Sequence, residues 1–214
     1  FACVGLAPTT VTSVLDDFNE AEIKNLLIVR GDKPEDETFQ AHPESYQHAS
    51  DLLPSVVQRE QFCVGVAAYP EGHKEAQSKE KDLEFLKAKV EAGADFVVTN
   101  YTYDNEHYFS LVEKARQLGI KVPIMPGVMP IFSVKMMNNL AALCGAAIPE
   151  ELQKGLREIA QDDKDALLQF GIEYALRQCR SLIEFGVPGL HFYTMDKSKS
   201  CLGIVKKLRE EGLL

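Results

Sequence analysis

The chain has 214 residues, 45% hydrophobic and 26% charged, enough for one sizeable core and unlike a disordered or fibrous polymer. Its formal net charge of -9 and pI near 5.1, with no concentrated basic run, argue against a nucleic-acid partner. Five cysteines without a C-x-x-C pair argue for a reducing compartment and against a zinc site, and no stretch of 18 apolar residues suggests a membrane span, so a cytoplasmic protein is expected.

Six short apolar runs alternate with longer amphipathic segments, the pattern of a parallel sheet covered by helices. The runs are FACVGL, NLLIVRG, FCVGVAAY, DFVVTNY, VPIMPGVMP and GLHFYT. The chain opens without Met inside the first of them, so these residues are read as lying downstream of the natural start. After the second run, the acidic and proline-bearing DKPEDETFQAHPESYQ predicts a long loop, a common seat of function. In EKDLEFLKAKVEAG, Leu83, Leu86 and Val90 share one helical face; in HYFSLVEKARQLG, Tyr108, Leu111, Val112 and Ala115 do the same. Gly93 and Gly119 follow as left-handed helix ends. Between Ser133 and Gly186, about fifty residues read as helix without a strand, with Pro149 as a first helical residue. A stripe of Ile172, Ala175, Leu176, Cys179 and Ile183 follows. The basic KSKSCLGIVKKLR reads as a solvated helix face. No linker divides the chain, so one domain over residues 1–214 is expected.

Such a chain folds either as an open doubly wound sheet or as most of a (β/α)8 barrel. No G-x-G-x-x-G follows the first run, whereas polar residues cluster where several strands end: Arg30 and Asp32, Tyr69, Asn100 and Tyr193. Barrel active sites lie at those ends, so a TIM-type barrel is favoured, with six of its eight strands in this chain.

Asp32, on a turn made permissive by Gly31, is placed near whatever fills the barrel mouth, although a turn carboxylate that caps the next segment explains it as well. Ala67 and Ala68 would let a flat ligand approach the backbone, with Tyr69 and His73 bracketing the turn that follows. Asp82 and Lys89 lie seven apart on one helix face; a solvated face is the plainer explanation of that spacing, and a loop histidine that of His73. Asn100 with Tyr101 and Tyr103, and His191 with Tyr193 and Thr194, offer amide and aromatic groups suited to a planar heterocycle, or plain packing at a barrel mouth. The five histidines are scattered, which argues against a metal site.

Taken together, LLIVRGDKP, HASDLL, VAAYPEGHKEA, GADFVVTNYTYD, VPIMPGVMPI and VPGLHFYTMD resemble the methylenetetrahydrofolate reductase family in order and spacing, over essentially the whole chain. The resemblance implies an eight-stranded barrel with FAD across the strand ends, and reduction of 5,10-methylenetetrahydrofolate to 5-methyltetrahydrofolate. NADH or NADPH would first reduce flavin N5 and leave, and the folate would then take the same hydride in the same space. Carried over, Arg30, Gly31 and Asp32 would lie under the flavin, with Asp32 as the catalytic carboxylate. Ala67, Tyr69 and His73 would line the ribityl and phosphate region, with Asp82 and Lys89 farther along the cofactor and His48 and Ala49 also among the cofactor-binding residues. Asn100 and Tyr193 would contact folate, and a homo-oligomer is usual for the family.

Departures from the family pattern accompany the match. Two strand-helix units, including the glutamate expected as general acid, would precede FACVGL, so an upstream segment is expected elsewhere. Asn100 replaces glutamine, His48 a tyrosine, and Phe85 an amide, and a regulatory domain of the eukaryotic kind is not expected within these residues. The runner-up reading is a non-catalytic flavin- or folate-binding partner subunit related to the reductase. An unrelated phosphate-binding barrel lyase would want a glycine-rich loop after the late strands, where only Gly127 stands.

Overall fold

The computed structural model describes every residue except Lys33, Glu35, Glu37 and Gln161. Part of the expected long loop therefore lies outside the described residues; the rest of residues 32–47 carries neither helix nor strand. In chain order the elements are α1 (Pro8–Glu20), β1 (Asn25–Ile28), α2 (Ala49–Val57), β2 (Cys63–Ala68), α3 (Lys79–Glu91), β3 (Phe96–Tyr101) and α4 (Asn105–Gln117). β4 (Ile124–Val128), α5 (Val134–Cys144), α6 (Glu150–Arg157), α7 (Lys164–Phe185), β5 (His191–Phe192) and α8 (Ser198–Glu210) complete them.

The strands pair in parallel in the order β1-β2-β3-β4-β5, an α/β fold whose curled sheet of five strands makes a half barrel consistent with a TIM-type barrel. Strand-helix alternation forces this pairing, because parallel neighbours need a crossover and the intervening helices supply it. Helix starts are capped locally: Ser78, Asp104, Ser133 and Asp163 each accept a backbone N–H from two or three residues on, in the first turns of α3, α4, α5 and α7.

Among the described residues, five strands form where the apolar runs predict six. The first run, FACVGL, makes only an isolated parallel bridge, Ala2 to Val29, extended by N–H donation from Val4 to the Arg30 carbonyl at 2.8 Å. The reason is local. Gly5 turns the backbone at a φ of 70° and Pro8 opens α1, so too few extended residues remain to pair. Phe39 packs where a Gly5 side chain would stand, and His42 donates to the Gly5 carbonyl, which ties the loop after β1 to this corner. β5 is short, although Tyr193 continues the pairing by donating to Val128 O at 2.9 Å.

Two apolar clusters fill the fold. The larger packs Leu26, Ile28, Val64, Val66, Val97 and Ile124 of the strands against α2, α3, α4, α7 and α8. The smaller lies at the strand ends, where Tyr101, Tyr103, Met129 and Ile131 meet α5, α6 and α7. The segment between Ser133 and Gly186 thus serves as a helical roof for one side of the rim, in keeping with its strandless pattern. Its backbones approach closely at Gly171, where an added Cβ would meet the Ile131 carbonyl oxygen at 2.7 Å.

Gly127 on β4 is similarly constrained, since a Cβ there would stand 2.4 Å from Thr99 O and 2.6 Å from the Tyr193 ring. Overpacking against backbone costs about 1–3 kcal/mol. Gly127→Ala is therefore expected to lower the unfolding free energy by that much in a urea titration with an unchanged m-value, and a midpoint within error of the parent would contradict the tight β3-β4-Tyr193 packing.

Candidate dinucleotide groove

At the C-terminal ends of β1 and β2, a cavity of about 280 Å³ opens between α2 and α3. Topology explains its position: β1 leads to α2 and β2 to α3, so both strand ends and both helices border one space. Of the residues singled out in the sequence, Arg30, His48, Ala49, Ala67, Tyr69, His73, Asp82 and Lys89 all line it. They are spread from the end of β1 to the end of α3, and the fold brings them together.

The groove has a small-residue interior and a polar rim. Ala49, Ala67, Ala76 and Ala88 face it with single methyl groups, and the half-exposed Phe85 adds an aromatic face. Slots of this kind admit flat ligands, and the volume sits near the lower end of the roughly 300–1,000 Å³ usual for small-molecule sites. At the deep end, Lys89 donates from Nζ to the Ala67 carbonyl at 2.6 Å. An ammonium has three donors, so this contact uses one of them. Asp82, about two helical turns before it, accepts the His73 N–H at 3.1 Å. The Tyr69 and His73 rings pack edge to face with centroids 4.5 Å apart, which fixes the turn between β2 and α3.

Arg30 closes one side. Its guanidinium makes a bidentate pair with Glu75, 2.7 and 3.1 Å, joining the end of β1 to the loop after β2. That guanidinium holds the Glu75 carboxyl down at about 2, and the pairing raises Arg30 in turn. Sequence reasoning does not find Glu75; its partner lies 45 residues away, a separation that no local pattern reports.

Gly31 and Asp32 do not border the groove. Gly31 holds a φ of 83°, and a side chain there would meet Ala2 and Val4, which makes glycine the fitting residue. Asp32 is exposed beside this turn. Asn100 borders a separate recess with Tyr69, Glu71 and Tyr101, and its Oδ1 accepts the Tyr101 N–H at 3.0 Å. Tyr193 donates to Thr99 O at 3.1 Å with its ring edge-on to Tyr101 and His191, and burial pushes its hydroxyl up to about 12. The expected folate contacts therefore lie at the ends of β3 and β5, apart from the groove between β1 and β2.

Glu71 likewise escapes the sequence. It accepts from Thr102 Oγ1 at 3.1 Å and from the Ala147 N–H at 2.9 Å, and lies 3.5 Å from His107. One carboxylate thus joins the loop after β2 to the end of β3, α4 and the α5-α6 connection. Among the described residues, no group of three His, Cys, Asp or Glu side chains is placed to hold a metal.

Burial lowers the Lys89 ammonium below its ordinary value of 10.5, with Asp82 opposing that shift. Burial likewise raises Asp82 above its ordinary 3.8, opposed by the His73 N–H and by Lys89. In the window just below 10.5 the unfolded chain binds more protons at Lys89 than the folded one, so this group makes stability rise with pH there. Lys89→Met should remove that rise when denaturation midpoints are compared at stepped alkaline pH; parallel curves for the two proteins would contradict the burial of this ammonium.

The methylenetetrahydrofolate reductase family model matches residues 1–209. Methylenetetrahydrofolate reductase 1 of Schizosaccharomyces pombe is 34% identical over 99% of this chain and 35% of its own length. The Arabidopsis thaliana methylenetetrahydrofolate reductase (NADH) 1 is 33% identical over 96% of this chain and 37% of its own, and a probable Caenorhabditis elegans methylenetetrahydrofolate reductase (NADPH) is 34% identical over 96% and 31%. The chain thus spans about a third of the length of these curated relatives. In fold it is similar to an uncharacterized Clostridium thermocellum protein described as binding two copies of 5-methyl-5,6,7,8-tetrahydrofolic acid, with a TM-score of 0.55 at 15% identity over 94% of this chain and 70% of that one. With the family match covering nearly every residue from which the groove and its rim are built, the chain belongs to the methylenetetrahydrofolate reductase family.

Proposed function

We propose that this chain binds FAD in the groove between α2 and α3 and reduces 5,10-methylenetetrahydrofolate with NADH or NADPH as hydride source. The observation that carries the proposal is the convergence of Arg30, His48, Ala49, Ala67, Tyr69, His73, Asp82 and Lys89 on one cavity in a chain of this family. The donor set suits a dinucleotide: methyl-lined walls for flat rings, a buried ammonium for a diphosphate and a carboxylate for sugar hydroxyls. Bound FAD would supply hydride acceptance and donation, chemistry that no side chain here provides.

The chain's own residues then have separable tasks. Lys89 offsets diphosphate charge, and a bound anion there would favour its protonated form. Asp82 accepts from ribose or ribityl hydroxyls while holding the His73 backbone. Arg30, braced by Glu75, keeps the β1 end in register with the loop after β2. Gly31 lets the chain turn at the rim so that Asp32 follows at once, and the Asp32 carboxylate would favour a cationic form of the folate by Coulomb attraction. Asn100 offers an amide to the pterin edge, and Tyr193 an aromatic wall. A single domain working in the cytoplasm, as a homo-oligomer, belongs to the same proposal. Among the described residues no helix is long and apolar enough to cross a membrane.

The second reading, a partner subunit that binds flavin or folate without turning over, is favoured by the exposure of Asp32 beside the groove. An anaerobic absorbance experiment separates the two. Flavin bands lost on adding NADH or NADPH and regained on adding methylenetetrahydrofolate are the expected result. Loss without recovery would support the partner reading, and failure to take up FAD at all would contradict the reductase reading and leave only a partner that binds folate.

A charge-assisted contact contributes roughly 1.5–3 kcal/mol, so Lys89→Met should weaken FAD binding about tenfold to a hundredfold in a fluorescence titration. Undiminished affinity would remove Lys89 from the cofactor site.

A further inference from the structure

A second cavity, of about 70 Å³, lies between α3 and α4. Tyr69, Asp82 and Lys89 border both this cavity and the groove, so they form the partition between the two. The far wall belongs to α4, which contributes His107, Ser110, Leu111 and Lys114, and Lys79 enters from the first turn of α3. The spacing is helical on both sides: Lys79, Asp82, Leu86 and Lys89 follow one face of α3, and His107, Ser110, Leu111 and Lys114 one face of α4.

The charge at this place runs against that of the whole protein. Three lysines and one aspartate border the cavity in a chain whose formal net charge is -9. Asp82 is held by the His73 N–H. Glu80, drawn below its ordinary value first by hydrogen bonds at the helix start and in smaller part by Lys114, does not border the cavity. Among the described residues Lys79 and Lys114 make no ion pair, whereas the lysines on the outer face of α3, Lys81 and Lys87, pair with Glu84 and Glu91. Cations outnumber carboxylates on this concave wall, with Asp82 held by the His73 N–H and Glu71 beside His107, and such a surplus over apolar floor residues concentrates counter-ions.

Size narrows the ligand. The volume is well below the roughly 300–1,000 Å³ usual for small-molecule sites, which suits a group of a few heavy atoms. Ammonium donors from both walls, with the Ser110 hydroxyl and His107 imidazole on α4, suit tetrahedral oxygens. We propose that the cleft between α3 and α4 is a second binding site for a phosphate-sized oxyanion, held by Lys79 and Lys114 with Ser110 and His107, on the far side of the partition from the dinucleotide groove. The oxyanion is either free inorganic phosphate or the phosphoryl group that distinguishes NADPH from NADH. In the second case the site selects the nicotinamide, and that part rests on the function proposed above.

The test is a calorimetric titration of the full chain with inorganic phosphate, chloride replacing phosphate at constant ionic strength. The parent should bind one phosphate saturably. The doubly substituted Lys79→Gln, Lys114→Gln protein should bind it about a hundredfold more weakly, at roughly tenfold for each ammonium removed from the cleft. Lys79→Arg with Lys114→Arg should keep binding, because charge and donors are retained. No saturable heat with the parent, or equal affinity in the glutamine protein, would overturn the proposal. KM values for NADH and NADPH then separate the sources. A rise for NADPH alone in the glutamine protein assigns the site to the dinucleotide phosphoryl, and unchanged values for both assign it to free phosphate. The calorimetry needs no turnover, so a failure of the reductase reading would not be mistaken for a failure of this site.

Discussion

The Lys89 ammonium, drawn largely out of solvent and donating to the carbonyl near the end of β2, is the contact on which the groove depends. It sets α3 against the strand that precedes it, and so fixes the width of the slot that Ala67, Ala88 and Phe85 border. A buried cation is costly unless compensated, and here Ala67 O and Asp82 share that task. Asp82 in turn holds the His73 N–H, so the turn that carries Tyr69 and His73 is positioned by the same pair of helical side chains. An anionic ligand would relieve the remaining desolvation, which gives this arrangement a built-in preference for one class of occupant.

Around that contact, carboxylates from the loop after β2 hold the rim. Glu75 reaches back to Arg30 at the end of β1, and Glu71 reaches forward to Thr102 and Ala147. Because parallel strands end together on one side of a sheet, loops that follow them are neighbours in space though distant in sequence, and such pairs can bridge them. The β3-β4-β5 side is held differently, by close packing at Gly127 and by Tyr193 on the Thr99 carbonyl. One half of the rim is thus fastened by charge and the other by shape.

Much of this is legible in the sequence. Buried parallel strands read as continuous apolar runs, so β1 through β4 stand out, and the helical stripe from Ile172 to Ile183 marks α7. FACVGL reads the same way but does not form a strand, because hydropathy does not report how early Gly5 and Pro8 bend the chain. The groove residues are recognisable through family motifs and not through spacing, since His48 and Lys89 become neighbours only after two crossovers. Glu71 and Glu75 carry no signal for the same reason: an acidic residue in a loop looks solvated until its partner, 31 or 45 positions away, is placed beside it. The family pattern puts Asp32 under the cofactor; in the structure Asp32 is exposed and follows the turn that Gly31 makes at a φ of 83°.

The most direct test of this arrangement is a crystal structure of the chain grown with FAD. Electron density is expected to run between α2 and α3, with diphosphate oxygens within hydrogen-bond distance of Lys89 Nζ and a flat ring against the methyl groups of Ala49 and Ala67. Density for the cofactor at any other place, with the groove between α2 and α3 holding only solvent, would contradict the assignment of that groove to the dinucleotide.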